Sequence, residues 1–319
     1  MEKVRSMGIA VIGSINTDLT IRVPHFSKRN ETVVGTGDYT VSQGGKGANQ
    51  AAAAAAAGAN VHMIGKVGAD DFGIRAVESL TAIGVNCDYV SRTSEHATGL
   101  ATILVDDTGD NSITVAPGAN AQLSAKDIRA AETIITQSQI VMLQLEIPIA
   151  TVEEAIRIAR INGALVLLDP APSPSRPLDF LEYVDYLTPT EIEAEALTGL
   201  STASAAGPKE VADYLLNLGV KNVALTLGDR GTFIANQEHK GQIPPYRVTV
   251  IDSTGAGDVF SGFLAASLVQ GLTFRESSEM ASAAAALSVT QPGARSNLPN
   301  RHQVEEFMSS ETFAISRAQ

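Results

Sequence analysis

Short runs of consecutive apolar residues recur along this chain, and helical segments stand between them. The runs include IAVIG (Ile9–Gly13), IVMLQLE (Ile140–Glu146), ALVLLDP (Ala164–Pro170) and NVALTLG (Asn222–Gly228). A strand without polar alternation is buried on both faces, which requires a sheet covered on two sides. The intervening segments include DDFGIRAVESLTAIG (Asp70–Gly84), TVEEAIRIARING (Thr151–Gly163) and KEVADYLLNLG (Lys209–Gly219). This order predicts an α/β fold of three layers, with a mostly parallel central sheet and helices on both faces. KDIRAAETIITQ reads as one further helix, and two alanine-rich helices, DVFSGFLAASLVQG and SEMASAAAALSVT, come late in the chain. Seven alanines, Ala51 to Ala57, follow GGKGANQ and stop at Gly58, the pattern of a tightly packed buried helix.

Two stretches break this rhythm. Residues 18–43 and 99–117 are short, alternating and rich in Thr, Val and Gly. They read as antiparallel strands with one open face, the second as a hairpin around DDTGDN. A small projecting β-sheet, a lid inserted in a single domain spanning residues 1–319, accommodates them. No repeat and no flexible linker divides the chain.

With 35 acidic against 23 basic side chains, the net charge is -12, which repels a phosphate backbone and argues against nucleic acid as a partner. A small anion can still be held by backbone N–H groups. No apolar run approaches the roughly 18 residues of a membrane span. Cys87 is the single cysteine, so no intrachain disulfide can form, and no signal-peptide pattern precedes the first strand. A cytoplasmic protein without membrane contact is expected.

Ligands of open parallel sheets bind beyond the carboxyl ends of the strands. Asn16, Asp18, Glu146, Asp169, Thr190 and Gly228 fall there. The glycine patterns exclude several chemistries. There is no G-x-x-x-x-G-K-[ST], and GSIN after the first strand lacks the second glycine that a dinucleotide pyrophosphate needs. The five histidines are scattered, so a zinc site is not expected. What remains is DSTGAGD, Asp252 to Asp258. Gly255, Ala256 and Gly257 can turn successive N–H groups toward one point, helped by the following helix dipole. Asp258 there is either an ordinary N-cap or a base. An anion hole next to a carboxylate suits phosphoryl transfer to an alcohol: the amides take the charge on the γ-phosphoryl, the carboxylate takes the hydroxyl proton.

GSINTDL, GGKGANQ, QLEIP, LDPAPS, TPTEIEAE, TLGDRG and DSTGAGD occur in this order over the whole length. On these motifs the chain resembles the ribokinase-like (PfkB) carbohydrate kinases, and GGKGAN with GSIN-x-D resembles the pentose-kinase branch. The resemblance implies transfer of the ATP γ-phosphate to the 5-hydroxyl of a pentose, D-ribose before deoxyribose, with another sugar or a nucleoside as alternatives. It implies a sugar site at Asn16, Thr17, Asp18, Gly45, Lys46, Gly47, Ala48, Asn49 and Glu146, with Asp258 as the base and Gly255, Ala256 and Gly257 as the anion hole. A nucleotide site is implied at Thr190, Thr226, Leu227, Gly228, Asp229, Arg230, Gly231, Gly257 and Ser282. Glu193 is implied to manage Mg2+ through water, its alternative being a solvated helix carboxylate. A K+ site is implied at Asp252, Thr254, Ser288, Gln291, Gly293 and Asn297.

Two positions depart from the family pattern: Thr190 replaces an asparagine, and Ser282 replaces a histidine near the adenine. The resemblance further implies that the lid covers the sugar and pairs with a second copy in a homodimer. A non-catalytic sugar or nucleotide sensor on the same scaffold is the reading from a different class, and a retained base argues against it.

Overall fold

In the computed structural model, which describes residues 8–310 except 175, 292, 294, 296 and 297, the first apolar run is strand β1 (Gly8–Ile12), buried throughout. Side chains alternate along a strand, so Ile9 and Val11 enter one apolar cluster while Ala10 and Ile12 enter another on the opposite face. Strand β1 is central. It pairs in parallel with β4 (Asn60–Gly68) on one side and β8 (Ile140–Leu143) on the other. Strand β5 (Asn86–Thr93) lies beyond β4. Strands β9 (Leu165–Leu168), β10 (Tyr186–Leu187) and β11 (Asn222–Thr226) continue in parallel beyond β8.

Helices α1 (Lys46–Ala56), α2 (Asp71–Ala82), α8 (Ala256–Val269), α9 (Phe274–Ser288) and α10 (Arg301–Ser309) pack on the Ile9 face. Helices α3 (Ala125–Ala130), α4 (Glu132–Gln137), α5 (Ile149–Ile161), α6 (Glu191–Thr198) and α7 (Gly207–Asn217) cover the other. The expected three-layer α/β architecture is present.

Four features differ from the sequence reading. KDIRAAETIITQ is two short helices, broken at Ala131 (φ -95°, ψ 7°). Strand β5 was not foreseen, because as a half-exposed edge it carries no continuous apolar run. Strands β12 (Thr232–Asn236) and β13 (Lys240–Ile243) finish the other edge antiparallel, since the short turn after β11 permits only a hairpin. The small sheet is mixed. Strand β2 (Asn16–Arg22) is antiparallel to β3 (Thr40–Gly44) but parallel to β6 (Gly99–Val105), which forms the expected hairpin with β7 (Asn111–Ala116). The long crossover through β4, α2 and β5 allows the parallel pairing.

The alanine run has a packing reason. Ala51 to Ala54 are fully buried, and α1 meets α8 so closely that a Cβ on Gly262 would lie 2.6 Å from the Ala53 Cβ. Small side chains let the two helices approach, and that approach brings the start of α1 against the start of α8. Among the described residues no helix is long and apolar enough to cross a membrane.

Candidate active site

The chain builds the sheet outward from β1 in one direction through β4 and β5, and from β8 in the other direction through β9, β10 and β11. The crevice beyond β1 and β8 is therefore the topological switch point. Two side chains meet across it: Ser14 Oγ donates to Glu146 Oε2 at 2.5 Å. The Lys46 amide donates to the same carboxylate oxygen at 3.2 Å. Lys46 opens α1 directly after Gly45, which has φ 91°. Only glycine fits there, because a Cβ would stand 2.6 Å from the Asn16 nitrogen.

Helix α8 starts from the opposite side of this crevice. Its N-cap is Gly255 with φ 78°, and no side chain caps it. Asp258 is thus not an N-cap; it is buried, with 5% exposure, and faces inward. Asn49 Nδ2 donates to its Oδ2 at 2.9 Å and Gln50 Nε2 to its Oδ1 at 3.1 Å. The Ala256 N–H is used internally, by the Ser253 carbonyl at 3.2 Å. The Gly257 and Asp258 N–H groups find no acceptor among the described residues. A Cβ on Gly257 would meet nothing within 4 Å, so this end of the helix faces open space.

Burial sets the electrostatics. It pushes the Asp169 carboxyl up to about 7, against the opposing pull of Lys46. It likewise raises Asp18 to about 6, opposed by Arg295 and reinforced by Glu146 and Asp258. For Lys46, burial disfavours the ammonium, but Asp258, Asp169, Glu146 and Glu193 outweigh it and raise its pKa. Lys46 is therefore a buried positive charge set among the acids of the pocket.

The structure gathers Asn16, Asp18, Gly45, Lys46, Asn49, Glu146 and Asp258 around one volume. Gly47 follows in the same turn, its N–H directed at Ser14 Oγ at 3.4 Å. Thr17 and Ala48 belong elsewhere. Thr17 projects from the other face of β2, and both are fully enclosed.

Two pocket residues escaped the sequence reading. Arg295, buried and lowered by that burial to about 10, donates from Nε to Gln43 O at 3.1 Å and from Nη2 to Gly44 O at 3.3 Å, with Asp18 nearby. Asn120, also buried, donates to Asn16 Oδ1 at 2.7 Å and Ile15 O at 3.1 Å and accepts from Ile15 N at 2.9 Å. Neither lies in a motif that marks chemistry.

On the outer side of the α8 start lies a groove of about 880 Å³. Thr190, Thr226, Gly228, Asp229, Gly231, Gly257 and Ser282 line it, with Pro245, Tyr246, Val250, Ala285 and Val289 as apolar walls. Leu227 and Arg230 do not. Leu227 is core, and the Arg230 guanidinium is engaged by Glu191, which itself lines the groove, and by the Thr202 carbonyl. Thr190 caps α6 in a reciprocal box with Glu193, whose Oε2 accepts the Thr190 N–H at 2.6 Å. One Glu193 oxygen is thus engaged in the cap, while its charge still acts on Lys46 and Asp169. Ser282 Oγ pairs with Thr232 Oγ1 at 3.1 Å.

Asp252, Thr254 and Gly293 also come together. Asp252 Oδ1 accepts the Thr254 N–H and Oδ2 the Gly293 N–H, both at 2.9 Å. Burial opposes charge on Asp252, but the hydrogen bonds from Thr254 and Gly293 outweigh it and hold its pKa low. The Ile251 and Asp252 amides bond Val289 O, which sets this turn against the end of α9, where Ser288 lies. Ser288 Oγ turns back to Ala285 O at 2.8 Å. Gln291 is exposed, and Asn297 lies outside the described residues.

Comparison with known proteins gives one family. The profile described as pfkB family carbohydrate kinase matches residues 7–301. The chain is similar to a ribokinase of Haemophilus influenzae, 39% identical over 94% of this chain and 98% of the relative. It is also similar to a deoxyribokinase of Salmonella typhi, 36% identical over 95% of this chain and 99% of the relative. The structure of an Arabidopsis thaliana ribokinase complexed with ribose and ATP superposes with a TM-score of 0.87, with 31% identity, 95% coverage of this chain and 99% of that one.

Proposed function

The chain belongs to the pfkB family of carbohydrate kinases, and from that premise we infer that it transfers the γ-phosphate of ATP to the 5-hydroxyl of D-ribose, giving ribose 5-phosphate. The observation that carries this reading is the position of Asp258. Its buried carboxylate stands between the polar sugar pocket and the nucleotide groove, next to the unpaired Gly257 amide.

Asp258 takes the proton of the attacking hydroxyl. The amides at the start of α8 stabilise the charge of the transferring phosphoryl group, with the Gly257 and Asp258 N–H groups free for that task. Lys46 adds a fixed positive charge to the same volume. Asn16 and Asp18, two residues apart on one face of β2, orient vicinal sugar hydroxyls. The Asn120 contact fixes the Asn16 amide, leaving its NH2 for the sugar. The lid strands lie over this side, and closing them excludes water as a competing acceptor.

The groove fits a nucleotide: glycines and free amides at the phosphate end, apolar walls for the base. A Mg2+ ion held at this end of the groove would supply positive charge against the phosphates. The Glu193 oxygen left free by the cap is suited to a water of that ion. The Asp252 carboxylate, oriented by the Thr254 and Gly293 amides, is a hard oxygen ligand that suits K+, beside the anion-hole loop. Activity unchanged between potassium-only and ion-free buffers would remove the K+ assignment. Exposed Ile113 and Val115 on β7 and Val41 on β3 support a homodimer through the lid. Monomer alone in light scattering at micromolar concentration would remove that one.

The deciding experiment is a coupled ADP-release screen of ribose, 2-deoxyribose, fructose and nucleosides with ATP, Mg2+ and K+. Ribose is expected to give the highest kcat/KM. The 36% identical deoxyribokinase makes 2-deoxyribose the competing acceptor, and faster turnover of 2-deoxyribose would replace the first reading. No turnover of any acceptor would leave a binding protein.

A further inference from the structure

One fully buried side chain at this site has no part in the roles given so far. Gln50 follows Asn49 on α1 and has no exposed surface, so substrate cannot reach it. Its amide is nevertheless fully committed. Nε2 donates to Asp169 Oδ2 at 2.7 Å and to Asp258 Oδ1 at 3.1 Å, which uses both of its hydrogens. Oε1 accepts from Gln144 Nε2 at 2.6 Å. Turning the amide over would set two NH2 groups face to face and aim a carbonyl at two carboxylates, so its orientation is fixed.

Gln144 is itself fully buried just beyond β8, in space that Gly13 leaves open: a Cβ at residue 13 would lie 1.9 Å from Gln144 Oε1. The backbone under Gln50 is equally constrained, because a Cβ on Gly262 of α8 would lie 2.7 Å from the Gln50 carbonyl.

We propose that Gln50 is a positioning residue for phosphoryl transfer: anchored by Gln144, its amide aims the Asp258 carboxylate at the acceptor hydroxyl and holds it beside Asp169. The terminal torsion of an aspartate is broad and two-fold, so one partner does not fix the plane of its carboxylate. Here each oxygen has its own donor, Asn49 on Oδ2 and Gln50 on Oδ1. Asn49 is also committed to the sugar, whereas Gln50 serves only the two carboxylates. The Gln50 contact is therefore the half of the clamp that stays in place as substrate enters and leaves.

This inference rests on the kinase reading, and the test separates the two. Gln50→Met keeps the shape and removes the donors; Gln50→Glu replaces them with acceptors. For ribose phosphorylation, kcat is expected to fall about 10- to 100-fold, the effect of losing a hydrogen bond to a charged group. KM for ribose and for ATP should stay within about threefold, since binding groups are untouched.

Gln144→Met, which frees the anchor, should give a smaller fall with the same KM pattern, and it decides the matter if Gln50 variants fail to fold by circular dichroism. A kcat within threefold of wild type overturns the proposal alone. So does a loss shared equally by kcat and sugar affinity, which marks a merely structural role. A wild-type enzyme that turns over no sugar removes the kinase reading and this proposal with it.

Discussion

On the sugar side of Asp258 the polar side chains are tied to one another before any ligand arrives, while Asn49 Oδ1 and Arg295 Nη1 are buried without a partner. Asn16 is held by Asn120, Glu146 by Ser14 and the Lys46 amide, and Asp258 by Asn49 and Gln50. On the nucleotide side a groove of about 880 Å³ is walled by Pro245, Tyr246, Val250, Ala285 and Val289, and Ser282 pairs there with Thr232. The difference teaches where discrimination resides. A buried polar site rejects a ligand that leaves its groups unpaired, whereas an apolar groove tolerates variation in shape. Sugar identity and the proton-transfer geometry are therefore set on the first side, and the second mainly contributes affinity.

The sharpest way to break that comparison is Asp258→Asn. It removes the base while keeping the shape, so kcat should fall by at least about 10²-fold with sugar binding retained, measured by single-turnover assay and calorimetry. Retained turnover would mean the polar side does not carry the chemistry.

Next in size is Arg295→Gln. Asp18 ionises only above about 6, because burial opposes its charge and Arg295 supports it. Sugar affinity that depends on the Asp18 carboxylate falls as pH drops through that value. Without the guanidinium the carboxyl titrates higher still, so the loss of ribose affinity should begin at higher pH. The displacement should be about one pH unit, equivalent to roughly tenfold in KM near pH 6. KM for ATP should not follow. A pH profile of ribose KM identical to wild type would detach Arg295 from the sugar side.

The smallest effect is expected from Ser282→Ala in the groove. It deletes one half of a side-chain pair at an apolar wall, and KM for ATP should change by less than about threefold, with ribose kinetics unaltered. A change beyond tenfold in ATP affinity would show that the groove reads its ligand by hydrogen bonds after all.

How much of this was legible beforehand depends on the residue. Asp258 and the glycines before it form a local motif, and local motifs survive in a one-dimensional reading. So do Asn16 and Asp18, which alternate on one strand, and Lys46 and Asn49, which open one helix. Leu227 and Arg230 share the motif of Gly228 but not its groove, because the short turn after β11 buries one and turns the other toward Glu191. Thr17 and Ala48 were misplaced similarly, by the two-residue alternation of a strand and the inner face of a packed helix. Arg295, Asn120 and the Gln50–Gln144 pair carried no signal at all. Their partners lie far away in the chain: Gln50 is 208 positions from Asp258, and Arg295 is 251 positions from Gly44.

The sequence by itself determined the layered α/β class, since uninterrupted apolar strands between helices can be buried in few other ways. It also determined the chemistry available at the start of α8, because backbone amides and an adjacent carboxylate need only their own local geometry. The tertiary structure alone decided which way the edge strands run, which motif residues face the pocket, and which distant amides and guanidinium clasp the acids there. Those choices depend on the close approach of α1 to α8 and on the crevice between β1 and β8, where segments far apart in the chain are pressed together and must satisfy one another's buried polar groups.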